Sequence, residues 1–320
     1  MTTLPPPSAG SAQDVVAPSG MDDLLGRGPA DDERGVSLWR AAFRRLRRNP
    51  SAIIGTAIVL AFLLVALCAP LIAGYDPGRP LPNSGVTPSS VPGPSPEHPL
   101  GLDSTGADLL TQLVYGARQS LVIGVIATTI GLLIGAALGL AAGGIGGKVD
   151  TAVMRVVDIM LSVPSLLLAV SIAAVLGQNG TSVMIAIGVA QVPIFARLLR
   201  GSLLQQRASD YVLASFSLGL RRRQVVMSHM LPNSLGPVIV QATLMLATAI
   251  IEVAALSYLG LGDPNPSTAE WGRMLVKAQN RLETDPHLAL LPGICIAVTA
   301  FGFTLFGEAL RESLDPKFRR

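Results

Sequence analysis

Five long segments of the chain contain no Asp, Glu, Lys or Arg. They are residues 49–75, 119–147, 159–196, 224–251 and 286–307. A helix that crosses a bilayer needs about 20 predominantly apolar residues, so each of these segments is long enough for at least one membrane span. The hydrophobic pattern therefore predicts a helical membrane protein.

The third of these segments is too long for one helix, and the sequence Gly177-Gln178-Asn179-Gly180 near its middle is typical of a tight turn. We therefore divide it into two spans. The fourth segment continues past a single acid, Glu252, as far as Gly262. Six membrane spans are predicted in total, over residues 51–73, 119–142, 157–176, 181–199, 236–259 and 288–307.

Composition supports this interpretation and excludes several classes of protein. Half of the 320 residues are hydrophobic and 14% are charged, whereas about a quarter charged is usual for a soluble domain. The two cysteines, Cys68 and Cys295, lie inside apolar segments without histidines at metal-ligand spacing, so neither a disulfide nor a zinc site is expected. A net charge of +3 is too small to indicate nucleic-acid binding.

The basic residues predict the orientation in the membrane. With six spans and the N-terminus inside, 19 of the 24 Lys and Arg residues lie on the cytoplasmic side and five lie outside. Because basic residues accumulate in cytoplasmic loops, an orientation with both termini inside is predicted.

The segments outside the spans divide the chain further. Residues 1–35 are rich in Pro, Ser, Gly and Asp and are expected to be disordered, whereas residues 36–48 predict an amphipathic basic helix on the inner membrane face. The predicted regions are a cytoplasmic tail (1–35), the amphipathic helix with the first span and a Pro-rich external loop (36–118), the core (119–310) with a cytoplasmic loop (200–235), and a C-terminal cytoplasmic tail (311–320).

The second span contains a four-residue glycine repeat at Gly131, Gly135, Gly139 and Gly143. Glycines at this spacing line one face of a helix and allow another helix to approach closely, which predicts a packing seam. The alternative is that the repeat only reflects how common glycine is in membrane helices.

Three other residues inside predicted spans have two interpretations each. Pro164 and Pro193 remove backbone donors and are expected to kink their helices, either along a transport path or for structural reasons alone. Glu252 is the one acid deep in a span, and its carboxylate is either part of a transport path or gate, or is hydrogen-bonded to a neighbouring helix or subunit.

Catalytic motifs are missing from the sequence. It contains no HExxH, no GxSxG and no Cys/His cluster. The Gly-rich stretch 143–148 fails as a phosphate-binding loop, because Ala142 stands at the first glycine position and Val149 where Ser or Thr binds magnesium. The chain is therefore not expected to hydrolyse ATP.

The cytoplasmic segment 209–232 predicts a helix-turn-helix. Ser209 or Asp210 is suited to cap the first helix, Gly219 to end it in a left-handed conformation, and Pro232 to stop the second helix. Apolar residues on this loop indicate either a protein partner or a connector that packs on the chain's own span ends. They are Tyr211, Val212, Phe216 and Leu218.

This loop resembles the "EAA" loop of ABC-importer permeases, which reads E-A-A, three residues, G, nine residues, I-x-L-P. The positions that match in register are Ala214, Gly219, Leu231 and Pro232. The departures are Leu213 in place of Glu, Ser215 in place of the second Ala, and His229 in place of Ile.

The rest of the chain after residue 44 resembles the C-type permease subunit of dipeptide and oligopeptide importers. The external motif reads His98-Pro99-Leu100-Gly101-Leu102-Asp103, and the family's usual Arg is replaced by Ala107 a few residues later. The other segments that carry the resemblance are 48–50, 69–70, 75–77, 115–121, 257–262, 271–272 and 307–317.

The resemblance implies an all-helical type I importer permease in the cytoplasmic membrane. It implies a heterodimer with a B-type permease, two cytoplasmic ATPases that bind ATP and magnesium, an external solute-binding protein, and no cofactor on this chain. Short peptides are the implied substrate, and nickel or another small solute is the alternative within the family. The residues implied in ATPase coupling are Asp210, Tyr211, Val212, Ala214, Phe216, Leu218, Gly219, Leu231 and Pro232.

Two other functional classes compete with this interpretation. A stand-alone secondary transporter would be expected to carry paired intramembrane charges, and the single acid Glu252 gives it little support. An intramembrane enzyme needs a catalytic pair inside a span, and none is visible in the sequence.

Overall fold

The computed structural model describes residues 46–314, except residues 83, 88, 89 and 266. The predicted N-terminal tail lies outside the described residues, as do most of the predicted amphipathic helix and of the C-terminal tail. The helices of the described chain are, in order, α1 (Pro50–Leu67), α2 (Ala69–Ile72), α3 (Leu109–Ile145), α4 (Gly147–Leu161), α5 (Ser165–Leu176), α6 (Gly180–Arg207), α7 (Asp210–Ser217), α8 (Arg222–Val225), α9 (Leu231–Tyr258), α10 (Trp271–Ala278) and α11 (His287–Leu314).

Within the described residues, five helical stretches are long and apolar enough to cross a membrane. They are α1, α3, α6, the stretch from α8 through α9, and α11. The pair α4 and α5 passes the same test together, although the two axes differ by 92°. The prediction of six spans holds when this bent pair counts as one.

The third span, predicted over 157–176 with a kink at Pro164, is a broken helix with a sharp bend at this proline. The helix breaks between Leu161 and Ser165, and we call residues 162–164 the elbow. Pro164 supplies the physical reason, because it lacks a backbone N–H and its ring disfavours the helical conformation of the residue before it. In α6, by contrast, the helix continues through Pro193.

Side chains and glycines define several helix ends. The side-chain oxygens of Asn49, Asp108 and Asn179 accept hydrogen bonds from backbone N–H groups in the first turns of α1, α3 and α6. These bonds satisfy donors that have no partner within the helix. Gly146 and Gly177, with φ of 72° and 89°, follow α3 and α5 in a conformation that glycine adopts without steric cost.

The prediction that Pro232 stops the second loop helix is wrong. From Arg222 the chain forms α8, a π-helical turn over Val226–Met230, and then α9 without interruption. Pro232 is the second residue of α9, directly after the π turn. The π turn hydrogen-bonds each N–H one residue further back than an α-helix does, so the helix passes the proline and joins the cytoplasmic loop to the fifth span.

The closest helix packing forms one pair and one group of three. α3 runs beside α6 over much of its length, and α11 lies against both α1 and α9. In the α1–α11 contact, a Cβ atom at Gly55 would lie 2.6 Å from the backbone nitrogen of Phe306, and one at Gly302 would lie 2.5 Å from Ile58 Cγ2. Any larger side chain at these two positions would therefore separate the helices.

Candidate functional site

The cytoplasmic loop 209–232 exposes apolar side chains around and directly after α7, on the sides that do not pack on the protein. Leu218 is 82% exposed and Leu213 is 56% exposed, and Tyr211 and Phe216 are also exposed. Val212 and Ser215 point the other way and are buried. The loop therefore has an inner face that holds it to the protein and an outer apolar face without a covering element in the described chain.

The inner face rests on the cytoplasmic end of α6. Val212, Val225 and Met230 form one buried cluster with Leu199 and Leu203 of α6. A buried apolar cluster of this kind fixes the position of the loop relative to the spans.

Hydrogen bonds tie α7 to the two helices that flank it. The Tyr211 hydroxyl donates to Gln206 Oε1 over 2.6 Å, and Asn233 Nδ2 lies 3.5 Å from the same hydroxyl. Asn233 Nδ2 also donates to the His229 carbonyl over 2.8 Å. Tyr211 therefore links α7 to both α6 and α9.

The remaining residues predicted for ATPase coupling lie in or beside this loop. Gly219 follows α7 with φ of 80°, the left-handed conformation predicted from the sequence. Ser209 occupies the N-cap position of α7, but its hydroxyl donates to the Gln206 carbonyl and makes no capping bond. Asp210, Ala214 and Pro232 are exposed, and Leu231 is half-buried.

The four glycines of the repeat all lie where α3 meets α6. A Cβ atom at Gly131 would lie 2.8 Å from the Gly188 carbonyl oxygen, and Cβ atoms at Gly135 and Gly139 would lie 2.6 Å from backbone oxygens of α6. At Gly143 the nearest atom would be Leu203 Cβ at 3.0 Å. The helices approach so closely that no larger side chain fits at the first three positions without a shift of the backbone.

Glu252 lies inside the protein on α9 and is 5% exposed. Its Oε1 accepts a hydrogen bond of 3.0 Å from Ser165 Oγ, at the first residue of α5. Its Oε2 is buried and has no hydrogen-bond partner among the described residues. Of the two interpretations of Glu252, the structure therefore shows the hydrogen bond to a neighbouring helix.

On the other side of the membrane, residues 98–108 and α10 pack together, and we call this unit the external cap. Asp103 is at its centre: Oδ1 accepts from the Thr105 and Ala107 backbone N–H groups, and Oδ2 accepts from Gln112 Nε2 at 2.7 Å and Lys277 Nζ at 3.0 Å. The sequence marked Asp103 only as part of a motif. Its ion pair with Lys277, more than 170 residues away, carries no local sequence signal.

Aromatic packing holds the same cap to the spans. Trp271 is fully buried, its indole N–H donates to the Leu113 carbonyl over 3.0 Å, and its ring meets Phe62 of α1 edge-on with centroids 5.7 Å apart. Gly116 leaves the space for this ring, because a Cβ atom there would lie 2.6 Å from Trp271 Cδ1.

Two acids of the cap have shifted pKa values in opposite directions. Burial raises the pKa of Asp103, but the Lys277 ammonium and the hydrogen bonds from Thr105, Gln112 and Ala107 together outweigh it, so its pKa is lowered. For Glu270, which is fully buried at the N-terminus of α10, burial dominates and the pKa is raised.

No group of three or more His, Cys, Asp or Glu residues that could hold a metal ion occurs among residues 46–314 as described. The cytoplasmic loop exposes its apolar side chains, whereas the external cap buries Asp103 and Trp271 within the chain.

Two family models match the chain. The model for the binding-protein-dependent transport system inner membrane component matches residues 131–320, and the model for the N-terminal TM domain of oligopeptide transport permease C matches residues 37–84. Together these matches cover most of the predicted core and the whole of the first span.

Curated relatives match over nearly their whole length. The dipeptide transport system permease protein DppC of Alkalihalophilus pseudofirmus is 42% identical over 91% of this chain and 94% of the relative. The di/tripeptide transport system permease protein DppC of Pseudomonas aeruginosa is 40% identical over 91% and 97%. The oligopeptide transport system permease protein OppC of Bacillus subtilis is 37% identical over 90% and 92%.

Solved structures share the fold at low sequence identity. An inward-facing structure of the MetNI methionine ABC transporter aligns with a TM-score of 0.55 at 18% identity, covering 65% of this chain and 98% of the other. The expected type I importer fold is thereby confirmed. With a matching family model over more than half of its length and relatives above 30% identity, this multi-pass membrane chain belongs to the binding-protein-dependent transport system inner membrane components.

Proposed function

We propose that this chain is the C-type permease subunit of an ATP-driven importer that moves short peptides across the cytoplasmic membrane. The substrate class is inferred from the names of the relatives. These proteins are named for transport of dipeptides, D,D-dipeptides, di- and tripeptides, oligopeptides and glutathione. All of these substrates are peptides, which favours peptide over nickel transport.

The partners follow from the same proposal. A B-type permease completes the path across the membrane, two cytoplasmic ATPases bind ATP and magnesium, and an external solute-binding protein delivers the peptide. This chain binds no cofactor and hydrolyses no ATP. Its task is to convert a movement of the ATPases into a change of access to the path.

The outer face of the cytoplasmic loop supports the position proposed for the ATPase contact. It combines exposed Leu213 and Phe216 of α7 with exposed Leu218 directly after it, and the buried side of α7 packs on α6. In the family pattern a Glu stands where this chain has Leu213, so we propose an apolar contact with the ATPase at that position. Burial of these side chains in a groove of the ATPase would drive docking.

Substitution of Gly219 tests the coupling role. Gly219→Val places a β-branched side chain at φ of 80°, a conformation that such residues rarely adopt, so the turn after α7 must change shape. We expect peptide uptake and co-purification of the ATPases to be lost while membrane insertion is retained.

A matched control is Gly201→Val, because Gly201 lies in α6 with open space around its Cβ position and no positive φ. This variant is expected to retain ATPase binding and uptake. Normal uptake in Gly219→Val cells would overturn the proposed coupling role of the loop.

Competition between solutes tests the substrate class. Cells that express the permease with its partners are expected to take up labelled di- or tripeptides, and an excess of unlabelled peptide is expected to reduce that uptake. Uptake of nickel without uptake of any peptide would replace the proposal by the nickel alternative.

A further inference from the structure

The elbow between α4 and α5 lies at membrane depth. α5 has 12 residues, which corresponds to a length of about 18 Å, whereas the hydrocarbon core of a bilayer is about 30 Å thick. α5 joins α6 through the short turn at residues 177–179, on the predicted outer side. Ser165, the first residue of α5, therefore lies within the hydrocarbon region and is too deep to contact the water outside the outer face.

The elbow is also exposed in the isolated chain. Residues 162–167 are all exposed, and the backbone is not helical at the break before Ser165. Irregular backbone at this depth is tolerated where it is buried in protein or lines a water-filled cavity, and it is not tolerated against lipid. Ser162 Oγ and Ser165 Oγ donate to the Ile159 carbonyl and to Glu252 Oε1 within the chain. Their oxygens keep free acceptor positions, which water satisfies and an apolar contact with another subunit does not.

Contacts from two sides hold the elbow in place. On α4, Asp150 receives two hydrogen bonds from the Arg200 guanidinium of α6, with Nε–Oδ1 at 2.5 Å and Nη2–Oδ2 at 2.8 Å. On α5, Ser165 donates to Glu252 of α9 over 3.0 Å. The first contact anchors the helix before the elbow, and the second anchors the helix after it.

The second contact leads directly to the cytoplasmic loop. Glu252 lies on the helical stretch that begins at Arg222, passes through the π turn and ends at Tyr258. Because the helical stretch is continuous from Arg222 to Tyr258, its backbone hydrogen bonds connect the cytoplasmic loop to Glu252. The elbow is therefore mechanically connected to the surface proposed to bind the ATPase.

We propose that the elbow lines the aqueous transport path and that Glu252 is the positioning residue through which α9 moves it. This inference rests on the proposed function, since it requires a path and an ATPase-driven movement. The carboxylate acts here as a hydrogen-bond acceptor behind the elbow, and it is buried in this conformation, so it does not contact the solute.

Thiol labelling of the assembled transporter tests the first part. Val163 is 40% exposed at the elbow and Leu133 is 65% exposed on α3, where lipid is expected. In a background with Cys68 and Cys295 replaced by Ser, we expect Val163→Cys to react with a membrane-impermeant thiol reagent and Leu133→Cys to stay unreactive. If contact with the partner permease keeps Val163→Cys unreactive both with and without ATP, the elbow does not line the transport path and the proposal is overturned.

Substitutions at the hydrogen bond test the second part. Glu252→Gln keeps an acceptor for Ser165 and is expected to retain most of the uptake, whereas Glu252→Leu removes the acceptor and is expected to lower uptake about tenfold, in line with the loss of one buried hydrogen bond. Ser165→Ala is expected to resemble Glu252→Leu. Normal uptake in Glu252→Leu and Ser165→Ala would overturn the positioning role.

A merely structural role is distinguished by two further measurements. With Glu252 intact, we expect the labelling rate of Val163→Cys to change when ATP is added. In Glu252→Leu we expect the ATPases to co-purify at the normal level, while this change in labelling is lost. Loss of the ATPases in this variant would assign Glu252 to assembly and overturn the inference. The Gly219 variants report on docking independently, so failure of the elbow proposal would leave the proposed function intact.

Discussion

The cytoplasmic loop and the external cap both carry sequence motifs of the same family, but the structure uses the two sets of residues in opposite ways. In the cap the motif residues Asp103 and Trp271 are buried and fully engaged by hydrogen bonds and packing within the chain. In the loop the motif residues Ala214 and Pro232 are exposed, and so are the neighbouring Leu213 and Leu218. A motif match alone therefore does not tell whether its residues stabilise the chain or bind a partner.

This difference has a direct energetic meaning. Truncating a buried side chain that packs on several helices reduces the stability of the isolated chain. Truncating an exposed apolar side chain leaves that stability almost unchanged and weakens the contact that would bury it. The predictions below use this contrast.

The largest effect is expected at Trp271. Trp271→Ala removes a fully buried ring together with its hydrogen bond to Leu113, and a Trp→Ala change in a core typically costs about 3–5 kcal/mol. Thermal unfolding in detergent or nanodiscs is expected to shift strongly to lower temperature. The control Phe301→Ala removes a ring that is 57% exposed and is expected to change stability little; an equal loss in both variants would contradict the assignment of Trp271 to the core.

The ion pair of the cap is expected to give the next largest effect. Lys277→Met leaves the buried Asp103 carboxylate without its cation, which we expect to cost about 1–3 kcal/mol. The exposed Lys148 of α4 offers a matched control, Lys148→Met, which is expected to leave stability unchanged.

The pH dependence sharpens this prediction. Because the pKa of Asp103 in the folded chain lies below its ordinary value of 3.8, its contribution is present at neutral pH and is lost as pH falls through the lowered pKa. Lys277→Met removes a cause that lowers this pKa, so the contribution of Asp103 is expected to be smaller and its loss to be complete at a higher pH. Identical pH profiles for the melting temperature in both proteins would contradict the role given to Lys277.

The smallest effect on the chain itself is expected in the loop. Phe216→Ala and Leu218→Ala are expected to change the free energy of unfolding by less than about 0.5 kcal/mol, because both side chains are exposed. Their affinity for the ATPases is expected to fall about tenfold, as for anchor residues of an interface. Unchanged affinity in titrations of the purified permease pair with the ATPases would contradict an apolar contact at this face.

Much of the site followed from local sequence signals. Gly219 adopts the left-handed conformation that its place after an apolar helix predicted. Pro164 predicted a kink, which the structure shows as a 92° bend. Both are properties of one residue and its chain neighbours, which is why the sequence was sufficient.

Other features depend on groups that are distant in the chain. The end predicted at Pro232 was wrong because a π turn next to it changes the hydrogen-bond register, and nothing in the residue types of 226–230 announces such a turn. The partner of Glu252 is 87 residues away, and the ion pair between Lys277 and Asp103 spans 174 residues. Such contacts are set by how the helices cross.

The sequence by itself determined the membrane location, the number of crossings and the family. Charges are costly in lipid, so the charge-free segments mark the spans, and the family motifs are recognised from their residues and spacing. Only the tertiary structure decided which faces are used. It placed the glycines of α3 against α6, turned Leu218 outward while burying Trp271, and joined Glu252 to the elbow. These assignments depend on which helix lies beside which, and that arrangement is a property of the whole packed bundle.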